Sequence, residues 1–200
     1  MPTTTTHAHA ELDRQVAVLL ARAYPETLSE DVGPLRECLS DSGSPFVLVA
    51  PLIAPAAAME LVEREGENGF SVMDADDLAG FTPIASVQIP AGAAYLLTDV
   101  DLGAGNRNVT PDDALVAIES AGRSPLTIDE GVALITQHPE AVARNAGFSL
   151  CGSRCGDKRV AALWISQGRP KLGWCWAGNP HTWLGSASCA RRVSNSVEAA

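Results

Sequence analysis

The sequence predicts an α+β fold, in which helices pack on a mostly antiparallel sheet. The first observation is that the apolar residues between positions 12 and 23 fall on one stripe of a helix. The second is a pair of helix-start signals, at Thr110 and Thr127. The third is a change after residue 147 to short apolar segments separated by tight turns, which predicts a C-terminal hairpin rich in tryptophan and cysteine.

The composition is that of a globular protein with one domain. The chain has 200 residues, of which 46% are apolar and 19% charged. We expect one domain over residues 11–192, with its functional part at 148–192, between flexible tails at 1–10 and 193–200. No apolar run reaches the ~20 residues of a membrane span, and the first ten residues lack the layout of a secretory signal. We therefore expect a cytoplasmic protein with reduced cysteines and no membrane partner.

The N-terminal elements are predicted from helical spacing, β-branched runs and breaker residues. In chain order we expect a helix at 12–23 stopped by Pro25, a short helix at 34–39, a turn at 40–44, a strand at 46–50, a helix from Pro55 to Gly66, and strands at 70–73, 87–89 and 94–100.

Two capped helices follow. Thr110 is an N-cap before a first-turn proline and two aspartates, and Gly122 supplies the stop. Thr127 and Glu130 have the spacing of a capping box, and Pro139 ends that helix.

The C-terminal strands are expected at 148–150, 160–166 and 171–177, with a hairpin loop at 166–170. A turn centred between Gly168 and Arg169 pairs Ala162 with Cys175 and Leu163 with Trp174. This register places Trp174, Trp176, Leu163 and Ile165 on one face of the hairpin and Trp164 and Cys175 on the other. Because both faces carry bulky apolar groups, the sheet is expected to be buried on both sides.

Charge is divided unevenly along the chain. Residues 1–140 hold 6 Lys and Arg against 22 Asp and Glu, whereas residues 141–200 hold 8 against 2. The acidic first part argues against nucleic acid as a partner, since binding to phosphates needs a positive surface. The basic C-terminal part also holds all four tryptophans, and we expect it to carry the site for a small anion.

A first candidate site is a zinc site made of Cys155, Cys175, His181 and Cys189. Thiolates and imidazole suit zinc, and a closed set of this kind would be structural. The spacing lacks paired CxxC motifs, and Cys151 could replace any one of the four. Two alternatives stay open, namely buried inert thiols and a reactive cysteine activated by nearby cations.

A second candidate is the loop GSRCGDKR at 152–159. Its two glycines allow a tight turn with exposed N–H groups, and Arg154, Lys158 and Arg159 add positive charge. Such a loop can hold a phosphate or carboxylate. It matches neither the P-loop nor the dinucleotide-binding motif, and the alternative is a solvated turn.

A third candidate is the segment GNPHTWLG at 178–185. His181 could act as a general base oriented by Asp157. The side chains of Trp174, Trp176 and Trp183 could line a site for an apolar or sugar-like ligand, with Asn179 beside them. The alternatives are a tryptophan-rich core and a structural histidine.

The two C-terminal motifs, GSRCGDKRVAALWIS (152–166) and PKLGWCWAGNPHTWLGSASC (170–189), resemble the signature of an uncharacterised actinobacterial family, one of the domains of unknown function. The blocks PLTIDEGVAL (125–134) and AYLLTDVD (94–101) are also similar to that family, so the resemblance covers residues 45–190. Ala161 stands where the family pattern has proline. The resemblance implies a cytoplasmic protein but no activity, cofactor or catalytic residue.

Three functions are compatible with these observations. The first is a small-molecule-binding protein that holds an anionic metabolite in the Arg/Lys loop beside a Cys/His cluster. The second is a small metabolic enzyme that uses His181 and Asp157 for acid–base chemistry. The third is a non-catalytic accessory protein that binds a partner through an apolar patch near Trp183. A homodimer is compatible with each of them.

Overall fold

The computed structural model of the chain describes residues 4–39 and 45–195, with only the backbone of residues 4–6. Its helices are α1 (Thr4–Ala21), α2 (Leu28–Val32), α3 (Pro55–Leu61), α4 (Ala75–Gly80), α5 (Pro111–Ser120) and α6 (Ile128–Gln137), with 3-10 turns at Gly33–Cys38, Ala104–Asn106 and Pro139–Ala141. The turn expected at 40–44 lies outside the described residues. No helix among those described is long and apolar enough to cross a membrane.

The strands are short except for three near the C-terminus. They are β1 (Phe46–Val49), β2 (Glu63–Arg64), β3 (Glu67–Asn68), β4 (Phe70–Ser71), β5 (Thr82–Pro83), β6 (Tyr95–Thr98), β7 (Ser124–Pro125), β8 (Gly147–Arg154), β9 (Arg159–Ser166), β10 (Arg169–Trp176), β11 (Leu184–Ser186), β12 (Ser188–Cys189) and β13 (Arg191–Val193).

The three long strands form the centre of the larger sheet, whose order is β11-β8-β9-β10-β4, with β5 also paired to β8. The pairs β8–β9, β9–β10 and β5–β8 are antiparallel, whereas β11 and β4 run parallel to their neighbours. Helices pack against this mostly antiparallel arrangement, so the predicted α+β class is confirmed.

The β9–β10 hairpin has a shorter turn than the sequence predicts. Gln167 and Gly168 alone connect the strands, with φ of +54° and +81°, the left-handed conformation that a two-residue hairpin turn requires. Leu163 therefore pairs with Leu172, and Cys175 with Val160, instead of the predicted partners Trp174 and Ala162. The register differs by two residues, and because side chains alternate with a period of two, each one keeps its predicted face.

The final strands connect two sheets. β11 lies beside β8 in the larger sheet, and β12 pairs with β7. β13 then completes a smaller antiparallel sheet of order β1-β6-β13. The segment from Leu184 to Val193 thus runs from one sheet to the other and fixes them together.

Apolar clusters pack on both faces of the larger sheet, but Trp174 and Trp176, which were predicted on a buried face of the hairpin, are exposed. The main core holds Phe148 and Leu163 from this sheet, Ile135 from α6 and Tyr95 from the smaller sheet, each at most 1% exposed. The opposite face holds a smaller cluster that includes Cys151, Ala162 and Cys175. A third cluster packs α1 against the other side of the smaller sheet.

Most predicted elements are present, with corrections at their ends. The helices that begin at Pro55, after Thr110 and after Thr127 are confirmed, and Thr127 and Glu130 form the predicted capping box. The helix predicted at 12–23 begins at Thr4, so residues 4–10 of the expected tail are helical. Residues 87–89 are not in a strand, and Gly66 lies in the turn between β2 and β3 instead of ending a helix. The short helix expected at 34–39 is a 3-10 turn.

Candidate functional site

The four tryptophans of the chain surround one cavity of about 290 Å³. We call it the tryptophan pocket. Its lining residues are Trp164, Trp174, Cys175, Trp176, His181, Trp183 and Leu184. The pocket borders the smaller apolar cluster, and its lining includes Trp164 and Cys175 from one face of the β9–β10 hairpin and Trp174 and Trp176 from the other.

Trp164 lies across the neighbouring strand because that strand has a glycine at the contact. A Cβ atom on Gly173 would approach the Cη2 atom of Trp164 to 2.6 Å, closer than van der Waals contact permits. Trp183 meets Trp164 edge-on, with ring centroids 6.0 Å apart and planes at 66°. This geometry is favourable for an aromatic pair, and it builds one wall of the pocket.

The opposite wall comes from the last three residues of β10, Trp174 to Trp176. Strand β4 pairs with β10 at Lys171 and Leu172, and beyond them β10 has no partner strand on this side within the described part of the chain. Trp174 and Trp176 stand on this edge two residues apart, with ring centroids 4.8 Å apart and planes at 67°. They are 36% and 47% exposed, which is unusual for such large apolar side chains.

His181 supplies the polar group of the pocket. The loop that carries it is held by backbone hydrogen bonds from Asn179 to Trp176 and from Asn108 to the carbonyl of His181. Its ring centroid is 5.5 Å from that of Trp183. The Nε2 atom is buried and has no hydrogen-bond partner among the described residues. A buried nitrogen without a hydrogen bond is costly, so a ligand that formed a hydrogen bond with this atom would remove that cost.

Cys175 contributes a protonated thiol to the lining. Burial raises the pKa of this thiol above its ordinary value. Its Sγ atom lies 3.6 Å from the hydroxyl oxygen of Ser149. The side chain therefore acts as a small apolar surface with one weak hydrogen bond.

The cationic loop predicted at 152–159 is shorter in the structure, since β8 ends at Arg154 and β9 begins at Arg159, and both arginines form ion pairs. Arg154 contacts Asp112 at 2.6 Å. Arg159 contacts Asp77 at 2.7 Å and Asp157 at 2.8 Å. Both guanidinium groups thus already have carboxylate partners, which weighs against an anion there, whereas Lys158 is exposed.

Asp157 forms its hydrogen bonds with Arg159 and Cys155 rather than with His181. Its carboxylate accepts from the backbone and side chain of Arg159 and from the Cys155 thiol. The backbone N–H of Arg159, followed by the Cys155 thiol, lowers the pKa of this carboxyl to about 2. Such a carboxylate is a weak base at neutral pH and is poorly suited to proton transfer.

The structure does not bring the proposed zinc ligands together. Cys189 is fully buried in the main core, and Cys155 packs at the edge of that core. Cys175 lies in the cluster on the opposite face of the sheet. Within residues 4–39 and 45–195, no three His, Cys, Asp or Glu side chains are placed to hold a metal ion.

Lys171 is a site residue that the sequence did not indicate. Its Nζ atom lies 4.9 Å from the centroid of Trp164 and 5.9 Å from that of Phe70. It shares a strand face with Cys175, four residues along β10, so the period of two could have placed it beside the pocket.

Comparison with known proteins supports the expected membership of a family without an assigned function. The model of a family of unknown function, DUF5701, matches residues 5–195. No curated protein and no solved structure matches the chain. The chain therefore belongs to the DUF5701 family, whose function is unknown.

Proposed function

We propose that the protein binds a small ligand with a flat apolar ring in the tryptophan pocket. The observation that carries the proposal is a cavity lined by every tryptophan of the chain and by His181, whose buried Nε2 atom has no hydrogen-bond partner among the described residues. The rings would enclose the ligand, and the imidazole would form one hydrogen bond to a polar atom of it.

The size and lining of the tryptophan pocket support the binding of a small ligand. Sites for small molecules are concave and mostly apolar, with a few polar groups that set orientation, and range from about 300 to 1,000 Å³. The tryptophan pocket, at about 290 Å³, matches the smallest of them. The aromatic pairs have steeply inclined planes, at 66° and 67°, an edge-to-face geometry that a further flat ring could extend.

The pocket is a better candidate than the cationic loop for the small molecule expected from the sequence. An anion at Arg154 or Arg159 would compete with the carboxylates of Asp112, Asp77 and Asp157, which already offset the charge of these two guanidinium groups. A ring in the tryptophan pocket displaces no such partner. Zinc binding stays a separate prediction, and elemental analysis of protein purified without added metal tests it.

The proposal is tested by calorimetric titration with three ring compounds of similar size. Indole offers a hydrogen-bond donor, quinoline offers an acceptor, and 1-methylindole lacks the donor. The Nε2 atom of His181 either accepts or donates a hydrogen bond, depending on the tautomer of the ring. Indole can donate to it and quinoline can accept from it, so one of these two compounds should bind more tightly than 1-methylindole. His181→Phe should remove that difference and keep the binding of 1-methylindole.

Two further variants localise the binding. Trp176→Leu removes an exposed wall of the pocket and should weaken all three compounds. Val116→Ala, at a 62% exposed position of α5 outside the pocket, should weaken none. If no compound binds, or if Trp176→Leu leaves binding unchanged, the proposal is wrong.

A further inference from the structure

We propose that the ring in the tryptophan pocket carries a carboxylate and that Lys171 binds it at the edge of the pocket. The inference rests on the proposed function and adds the chemical class of the ligand. It stands on the position of Lys171 beside Trp164 and on the distribution of charge around the pocket.

Lys171 lies on the face of the sheet that supplies Trp164 and Cys175 to the pocket. It pairs with Trp164 across the β9–β10 ladder, and directly paired residues point to the same face. Cys175, which lines the pocket, occupies the same face of β10. The ring of Trp164 therefore lies against the lysine ammonium, while it also forms part of the pocket wall.

The neighbouring arginines already have partners. Arg159 is paired with two aspartates, and Arg169 donates to the backbone carbonyls of Asn68 and Gly69. For Lys171, the part of the chain that the structure describes supplies no ion pair and no side-chain hydrogen bond; its contacts there are the rings of Phe70 and Trp164. Ring faces attract the charge but do not replace the oxygen acceptors of its three N–H groups.

One uncompensated positive charge beside an apolar pocket matches a ligand with one negative charge. A carboxylate meets this condition, since its oxygens accept hydrogen bonds from the ammonium group while its ring stays in the pocket. A phosphate with two charges would need a second cation, and both Arg154 and Arg159 are paired. A ligand cation would be repelled by the half-buried ammonium.

The test compares three ligands that share the indole ring: indole-3-acetate, which is an anion, indole-3-acetamide, which is neutral, and tryptamine, which is a cation. Calorimetric titration should give the order acetate, acetamide, tryptamine, from tightest to weakest. Lys171→Met keeps the length of the side chain against Trp164 and should weaken indole-3-acetate by about fivefold, the upper effect of an exposed ion pair, with no change for the amide.

The matched control is Arg144→Met, which removes an exposed cation away from the lining residues and should leave all three affinities unchanged. Lys171→Arg should retain the preference for the acetate. If the acetate binds no more tightly than the amide, or if tryptamine binds best, the carboxylate inference is wrong while ring binding stands. If none of the indoles binds, both proposals are wrong.

Discussion

Replacing Arg192 by methionine should destabilise the fold strongly, because it leaves a carboxylate buried without its cation. The Arg192 side chain is 6% exposed and that of Glu130 is fully buried, with the two in contact at 2.5 Å. Arg192 also donates to the hydroxyl of Ser124 and the carbonyl of Pro125. Among the residues that the structure describes, the Glu130 carboxylate then keeps two hydrogen-bond donors, the hydroxyl of Tyr95 and the backbone N–H of Thr127.

The expected loss is about 3–5 kcal/mol in the free energy of unfolding, the usual cost of removing one partner from a buried pair. For a chain of this size that corresponds to a melting temperature lower by about 6–20 °C. Urea denaturation at pH 7, followed by circular dichroism, measures it, with Arg191→Met as the control, since Arg191 is exposed on the same strand. A loss below about 1 kcal/mol for Arg192→Met, or an equal loss for both variants, would refute the reasoning.

Three further predictions concern packing, thiol reactivity and acid stability. Gly152→Ala should lower the free energy of unfolding by about 1–3 kcal/mol, measured by urea denaturation, because a Cβ there would come within 2.7 Å of the backbone of Leu126. Gly178→Ala is the control and should leave the free energy of unfolding unchanged, because a Cβ at Gly178 would have nothing within 4 Å. Cys151 and Cys189, whose pKa values burial raises to about 11, should not react with a disulfide reagent at pH 8 until the protein unfolds; labelling of either in the native state would contradict their burial. The pKa of Asp157 is lowered to about 2, so the carboxylate stabilises the fold fully above pH 3.8, its ordinary pKa, and loses this effect as the pH falls toward 2. The difference in the free energy of unfolding between the wild type and Asp157→Asn should therefore shrink between pH 3.8 and pH 2. A difference that stays constant over this range would count against the contacts with Arg159.

Local signals in the sequence were enough to predict the helices that start at Thr110 and Thr127. Each cap is a hydrogen bond between residues three apart, so it is decided within the segment itself. The hairpin register depended on a turn that the sequence marks weakly. Gln167 adopts a left-handed conformation that asparagine or glycine would have signalled, and the loop was therefore predicted too long.

The site was predicted in part, since its aromatic residues were indicated and its geometry was not. Alternation along the strands correctly placed Trp174 and Trp176 on one face and Cys175 on the other. Spacing along the chain does not say which side of a sheet a distant cysteine reaches. Cys155 and Cys189 therefore could not be separated from Cys175 without the tertiary structure.

The path of residues 184–193 across both sheets has a consequence for biosynthesis. Every strand that β11, β12 and β13 pair with is made earlier by the ribosome, including β6, which precedes β13 by more than ninety residues. The larger and the smaller sheet therefore cannot be joined by this segment until β13 has left the exit tunnel of the ribosome. Folding of this chain should therefore be completed only after β13 has been made, and nascent chains that stop before Arg192 should expose Glu130 and be sensitive to proteases.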